Sequence, residues 1–223
     1  MIKLKAPRIY HLPWSEVISS DDKVIKRKHM FKGKHVVCTI KYDGENTSFY
    51  SDGTFHARSL DSNKHESRDW LHHWWQCKIY SDEYIELSKT YTDLRLVGEN
   101  MYATHTIKYN NLDCLFLLHS AWNGKTCLSW EHTAYIAAAL NISIVPHIYF
   151  NTYNEQLIQN FNTLELFNDD IVEGYIIRCS DAYDYMESDN NIAKFVSNRF
   201  KIDNNKSHWY YNSIQRNDVL TYI

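Results

Sequence analysis

The segment T-I-K-Y-D-G-E-N, Thr39 to Asn46, ends a β-branched run on Lys41 and places Gly44 just beyond it, where the chain can turn. A lysine there serves either as a nucleophile or as a surface charge, and the residues that follow have to decide. As a nucleophile it carries a handicap. A free lysine of pKa about 10.4 is neutral in roughly one molecule in a thousand near pH 7.4, which costs about 4 kcal/mol. Asp52-Gly53 reads as a two-residue hairpin turn, and pairing Ser51 with Thr54 sets Arg58 opposite Thr47, back at the Gly44 end. Arg58 then either grips a phosphate or carboxylate at two points or makes a structural ion pair. Two more strand ends carry a glycine beside a carboxylate, V-G-E-N-M-Y (Val97 to Tyr102) and V-E-G-Y-I-I-R (Val172 to Arg178), and A-K-F-V (Ala193 to Val196) adds a late lysine.

This ordered set, K-x-D-G, an arginine on the returning hairpin, G-E, an aromatic strand, E-G-h-h-h-R and a final lysine, resembles the covalent nucleotidyltransferases that include polynucleotide ligases and messenger RNA capping enzymes. Within that superfamily Lys41-x-x-Gly44-x-Asn46 is similar to ATP-dependent RNA ligases of the RNA ligase 2 branch, since capping enzymes usually carry Arg where Asn46 stands. R-I-Y-H-L-P-W-S (Arg8 to Ser15), H-A-R-S-L-D-S (His56 to Ser62), S-R-D-W (Ser67 to Trp70) and G-E-N-M-Y-A-T-H-T-I-K-Y (Gly98 to Tyr109) look like segments of compact phage and bacterial RNA ligases.

The resemblance implies that Lys41 attacks the α-phosphorus of ATP, releases pyrophosphate and keeps AMP as a lysyl phosphoramidate. AMP then passes to an RNA 5′-phosphate, and an RNA 3′-hydroxyl displaces it to seal the strand. Lys41, Glu173 and Lys194 are the implied catalytic residues. Ile40, Asn46, Arg58, Glu99, His119 and Lys194 surround the nucleotide, with Glu99 receiving a ribose hydroxyl. Glu173 and Asp43 serve a magnesium or manganese ion. Asp43 by itself raises the Lys41 pKa, so the cation and Lys194 are expected to lower it. The alternatives are a DNA nick ligase or capping guanylyltransferase, and a catalytically silent RNA-binding module on the same fold.

Two positions depart from the family pattern. His119 stands where an aromatic ring commonly stacks on adenine, and Phe116 faces the other way by strand alternation. Val196 stands where the branch often has a second lysine, with Arg199 or Lys201 as replacements.

The elements that must position these groups are strands at Lys34 to Lys41, Asn46 to Ser51, Thr54 to Ser59, Leu94 to Glu99, Leu115 to Trp122, Ile142 to Phe150 and Ile171 to Arg178. Helices are predicted from Ser67, with Trp70, Leu71, Trp74 and Trp75 on one face, and from Ser129 to Leu140, stopped at Asn141. The class is α+β. The resemblance specifies it as a nucleotidyltransferase domain with antiparallel sheets flanked by helices. Gly and Pro are scarce and no linker stands out, so 1–223 is expected to be one domain with a basic amino-terminal segment, 1–36, and a short tail, 197–223, too short for an appended oligonucleotide-binding barrel.

Net charge is −3, which excludes a general polyanion binder, but it is unevenly distributed. Residues 1–36 carry nine Lys/Arg against three Asp/Glu, residues 37–193 ten against twenty-two, and residues 194–223 five against two. Basic ends suit RNA with 5′-phosphate and 3′-hydroxyl ends, and an acidic middle suits metal and nucleotide. Tyr10, Trp14, Trp209, Tyr210 and Tyr211 are candidates for stacking on bases or for core packing. Five cysteines without a C-x-x-C pair, and no export or membrane pattern, lead to an expected cytoplasmic location.

Overall fold

The computed structural model describes residues 3–26, 30–62, 64–199 and 213–220. In chain order the strands are β1 (Tyr10–His11), β2 (His35–Lys41), β3 (Glu45–Tyr50), β4 (Phe55–His56), β5 (Leu94–Asn100), β6 (Phe116–Asn123), β7 (Thr126–Cys127), β8 (His147–Thr152), β9 (Leu166–Phe167), β10 (Asp170–Ile171), β11 (Gly174–Cys179), β12 (Tyr183–Asp184) and β13 (Ile192–Val196). The helices are α1 (Asp69–Ile79), α2 (Asp82–Thr90), α3 (Trp130–Ala139) and α4 (Glu155–Gln159).

Two sheets carry the site. The first has the order β1-β13-β11-β2-β8 and the second β12-β7-β6-β5-β3-β4. Every pairing is antiparallel except that of β1 with β13. This is the expected α+β arrangement of antiparallel sheets with flanking helices. Central strand β2 shows why the sequence settles there: Val36 and Cys38 enter one apolar cluster, Val37 enters another on the opposite face, and all three are fully buried. On the far side of the second sheet, α1 inserts Leu71 and Trp75 against Phe49, Leu96 and Phe116, with Trp70 and Trp74 packed alongside. The tryptophans expected on one helical face are therefore core.

Several local readings shift. The hairpin after β3 is a three-residue loop: Tyr50 N–H bonds to Thr54 O at 2.9 Å, and Gly53 takes φ +81°, a left-handed position that favours glycine. The register becomes Ser48 with His56, one residue from the Ser51–Thr54 pairing, and the strand stops before Arg58. Ser67 is buried inside a 3-10 turn, Glu66–Arg68, whose cap is His65, so α1 starts without a side-chain cap. Ser129 does cap α3, accepting from His132 N–H, and Asn141 ends it with φ 49°. The expected Ile142-to-Phe150 strand begins only at His147, and the expected Ile171-to-Arg178 strand divides at Val172 and Glu173. No helix among the described residues is long and apolar enough to cross a membrane.

Candidate nucleotide and catalytic site

Strand register delivers the chemistry-bearing residues. In the first sheet Gly174 of β11 pairs with Lys41 at the end of β2, so Glu173, one residue earlier, arrives beside the lysine. Ile176 of the same strand pairs with Lys194 on β13. In the second sheet Asn46 on β3 pairs with Glu99 on β5. Between the sheets lies a cavity of about 450 Å³ lined by Ile40, Lys41, Asp43, Asn46, Arg58, Glu99, His119 and Lys194 among others, which is within the usual range for small-molecule sites. Glu173 stands against Lys41 and outside that lining.

Lys41 Nζ donates to Glu173 Oε2 in an ion pair whose side chains are 23% and 7% exposed. Burial on its own lowers the Lys41 pKa, but the charge and hydrogen bond of Glu173, joined by Glu99 and Asp43, outweigh it and leave the pKa raised. The carboxylates outweigh the expected depression, and Lys41 is held as an ammonium. Glu99 is pushed up to about 8, chiefly by burial and then by its carboxylate neighbours, against the opposing pull of Lys41. Glu173 is also raised by burial, with Asp43 adding to it and Lys41 opposing.

Asp43 is turned toward the 104–107 loop, where its Oδ2 accepts Thr106 N–H at 2.7 Å and Ile107 N–H at 3.0 Å. Its own N–H donates to Tyr109 Oη at 2.9 Å, and Oδ1 lies 4.0 Å from His105 Nδ1. Ile40 N–H donates to Pro146 O at 3.0 Å, and Arg58 is exposed at the cavity edge.

His119 faces away from Phe116 as alternation has it, but Ser120 reaches the same cavity through a feature alternation does not predict. Val97 pairs with Ser120 but Gly98 with Leu118, so His119 is the extra residue of a β-bulge. His119 and Ser120 both reach the cavity while Phe116 and Leu118 enter the helix-side core. Arg178 braces the bulge, donating to His119 O at 3.3 Å and Leu128 O at 2.8 Å. Burial first, then Arg178 and Arg95, lowers the His119 pKa to about 3, and the ring is neutral.

Residues outside the sequence reading complete the site. Asp22 Oδ1 accepts from Lys194 Nζ at 3.2 Å, and its Oδ2 lies 3.2 Å from Nε2 of the buried His11. Burial opposes the Asp22 charge, but Ser19 and Lys194 outweigh it and hold the carboxylate well below the usual range. For Lys194 burial prevails, helped by Lys41, and the pKa is lowered despite Asp22. Glu45 takes a bidentate contact from Arg68 at the edge of the cavity. The signal for Asp22 was the acidic pair Asp21-Asp22 interrupting an otherwise basic segment. Lys201, Lys206, Trp209, Tyr210 and Tyr211 lie outside the described residues, as do Arg27 and Lys28.

A divalent cation fits this site by charge. Three carboxylates, Glu99, Glu173 and Asp43, act on Lys41, and burial raises two of them against the pull of that one ammonium. Among the described residues no group of three His, Cys, Asp or Glu converges to hold a metal alone. A cation here would draw further ligands from phosphate and water.

The family model described as RNA ligase matches residues 34–196. No curated protein matches the chain significantly. Among solved structures, the chain is similar to a Naegleria gruberi RNA ligase mutant with ATP and Mn, at 17% identity and TM-score 0.55 over 90% of this chain and 62% of that one. An apo mutant of the Naegleria enzyme matches at 16% and 0.54, over 87% and 60%, and a mutant with AMP and Mn at 16% and 0.52, over 89% and 63%. At such identities the likeness is one of fold, and the chain spans about 60% of the length of the chains it matches.

Proposed function

Since the chain belongs to the RNA ligase family, we propose that it is an ATP-dependent RNA ligase acting through a lysyl-AMP intermediate on Lys41, on the RNA ligase 2 branch, with 1–223 working as one catalytic unit. The observation that carries this is the Lys41–Glu173 pair at the junction of β2 and β11, facing Glu99 and Lys194 across a nucleotide-sized cavity.

In the first step Lys41 Nζ loses its proton and attacks the α-phosphorus; the P–O bond to the β-phosphate breaks and pyrophosphate leaves with the electron pair. Lys194, half-buried beside Asp22, places positive charge where the phosphoryl oxygens gather negative charge. Glu99 and Asn46 sit on the ribose side and Arg58 on the phosphate side. Glu173 and Asp43 are the carboxylates that would hold a magnesium or manganese ion, which would supply positive charge to offset that of the phosphates. An oxygen of the RNA 5′-phosphate then displaces Lys41 from AMP. Finally the RNA 3′-hydroxyl attacks that 5′-phosphate, AMP leaves and a phosphodiester forms.

With α-labelled ATP and magnesium the protein should acquire an acid-labile, base-stable label, and Lys41→Ala should lose it while keeping its circular dichroism. Label retained in Lys41→Ala rejects the nucleophile. ATP, GTP and NAD run in parallel with RNA and DNA ends check the rest: better labelling by GTP points to a capping enzyme, and equal joining of DNA removes the RNA assignment.

A further inference from the structure

Three hydrogen bonds on the bulge fix the polarity of one hydroxyl in the cavity. The amide nitrogen Nδ2 of Asn46, a donor only, lies 3.0 Å from Nε2 of His119 and donates to it. With Nε2 accepting, a neutral His119 carries its proton on Nδ1, and Nδ1 lies 3.2 Å from Ser120 Oγ. Trp122 Nε1–H also donates to Ser120 Oγ, at 3.0 Å. Indole nitrogen is a donor only. Both oxygen lone pairs of Ser120 are thus engaged, and its remaining capacity is one hydrogen to give.

Ser120 is 6% exposed and lines the cavity. Among the described residues Ser120 Oγ makes no hydrogen bond besides these two. The least charged part of the wall surrounds it: Val97 and Trp122 flank it on the second sheet, Ile176 contributes from the first, and the guanidinium of Arg178 is engaged by the His119 and Leu128 carbonyls, while Lys41, Lys194 and Glu99 occupy the charged part. A flat heterocycle with acceptor nitrogens suits the least charged part, and phosphates suit the charged part.

We propose that the Ser120 hydroxyl is a base-binding donor, giving its hydrogen to a ring nitrogen of the purine, with Asn46, His119 and Trp122 holding it in that role. The assignment rests on the nucleotide reading above. It turns the bulge from a local irregularity into the device that brings His119 and Ser120 to the base together. A buried donor left without its acceptor is costly, so the effect should exceed that of a surface contact.

The test compares ATP with 1-deaza-, 3-deaza- and 7-deaza-ATP as substrates for Lys41 labelling, in the wild type, Ser120→Ala and Ser120→Thr. One of the three analogues should be used about tenfold less well by the wild type. Ser120→Ala should show that loss with ATP itself and no additional loss with that analogue, and Ser120→Thr, which keeps the hydroxyl, should recover most of it. A wild type indifferent to all three analogues overturns the proposal whatever the variants do, as does a Ser120→Ala protein that discriminates the analogues as the wild type does. A wild type that ATP does not label at all refutes the nucleotide site itself, which separates the two failures.

Discussion

Glu99 shows what a site of this kind costs the ligand-free protein. Its carboxyl titrates at about 8 in the folded state against an ordinary 4.5, so between those values the folded protein holds a proton that the unfolded chain has released. Stability contributed by this group is therefore present at low pH and declines as pH rises through that window. Glu99→Gln should melt at a higher temperature than wild type at pH 8.5 and show a smaller fall in Tm from pH 5 to pH 8.5, while losing most lysine labelling. An unchanged pH dependence of Tm would place Glu99 in a solvated setting. Lys41 is shifted in the same direction, upward, but for a different reason: burial lowers its pKa, and the charge and hydrogen bond of Glu173 outweigh burial. Removing the carboxylate in Glu173→Gln leaves burial dominant, so Lys41 should react faster with an amine-directed acylating reagent at pH 8 than it does in the wild type. Most members of the site were legible as residue types at strand ends, Lys41, Glu99, Glu173 and Lys194 above all. Their protonation was not, since that depends on which carboxylate faces which ammonium across strands distant in sequence.

The elements position these groups through glycines that are needed for space. A Cβ on Gly174 would lie 2.0 Å from Phe195 O, and one on Gly98 would lie 2.3 Å from Leu117 O, both backbone atoms of the neighbouring strand. Gly44, expected to serve a turn, has the same reason to be glycine: its Cβ would meet Met101 Sδ at 2.5 Å and Asn100 O at 3.0 Å. Gly174→Ala should force β11 from β13 and cost about 3 kcal/mol, at the upper end of overpacking effects, or about 6–12 °C in Tm for a chain of this size. Because Gly174 pairs with Lys41 and follows Glu173, labelling should fall in parallel. A stable Gly174→Ala protein with normal labelling would show that the register tolerates displacement. The strands that host the motifs were read nearly to their ends, because β2 and β3 are rich in β-branched and aromatic residues and β5 and β6 add short leucine-rich runs. What escaped was geometry set between elements. The three-residue hairpin that moves the register before Arg58 is one case, and the bulge at His119 is another. Helix α2 escaped too, although Ser81 caps it by accepting from Tyr84 N–H, because its apolar face is short and its composition polar.

At the scale of the whole molecule the question is how a chain of net charge −3 would hold the RNA proposed for it. The described parts of the basic amino-terminal segment do come to the cavity: Ala6, Pro7, Arg8 and Ile9 line it, and Asp22 holds Lys194. The described part of the tail reaches the same neighbourhood from another side. Asn217 accepts from Tyr109 N–H at 3.0 Å, and Tyr109 Oη accepts from Asp43 N–H. Described parts of both segments thus touch residues that build the site. Lys5, Arg8, Lys23 and Lys26 are exposed along the first of these segments, and Lys23 lies over the Tyr10 ring at 5.6 Å, which leaves its charge at the surface. Each phosphate contact steepens the salt dependence of single-strand binding by about 0.7 in log-log slope. Replacing Lys5, Lys23 and Lys26 together with Gln should therefore reduce that slope by up to about 2 and weaken RNA joining at 150 mM salt. Lysine labelling, which needs only ATP and the cation, should stay near wild type because none of the three touches Lys41, Glu173 or Lys194. An unchanged slope would assign these lysines to solvated surface and move the phosphate-binding face to the carboxy-terminal lysines. A loss of labelling would instead mean that the amino-terminal segment builds the nucleotide pocket through its charge as well as through the backbone that lines it.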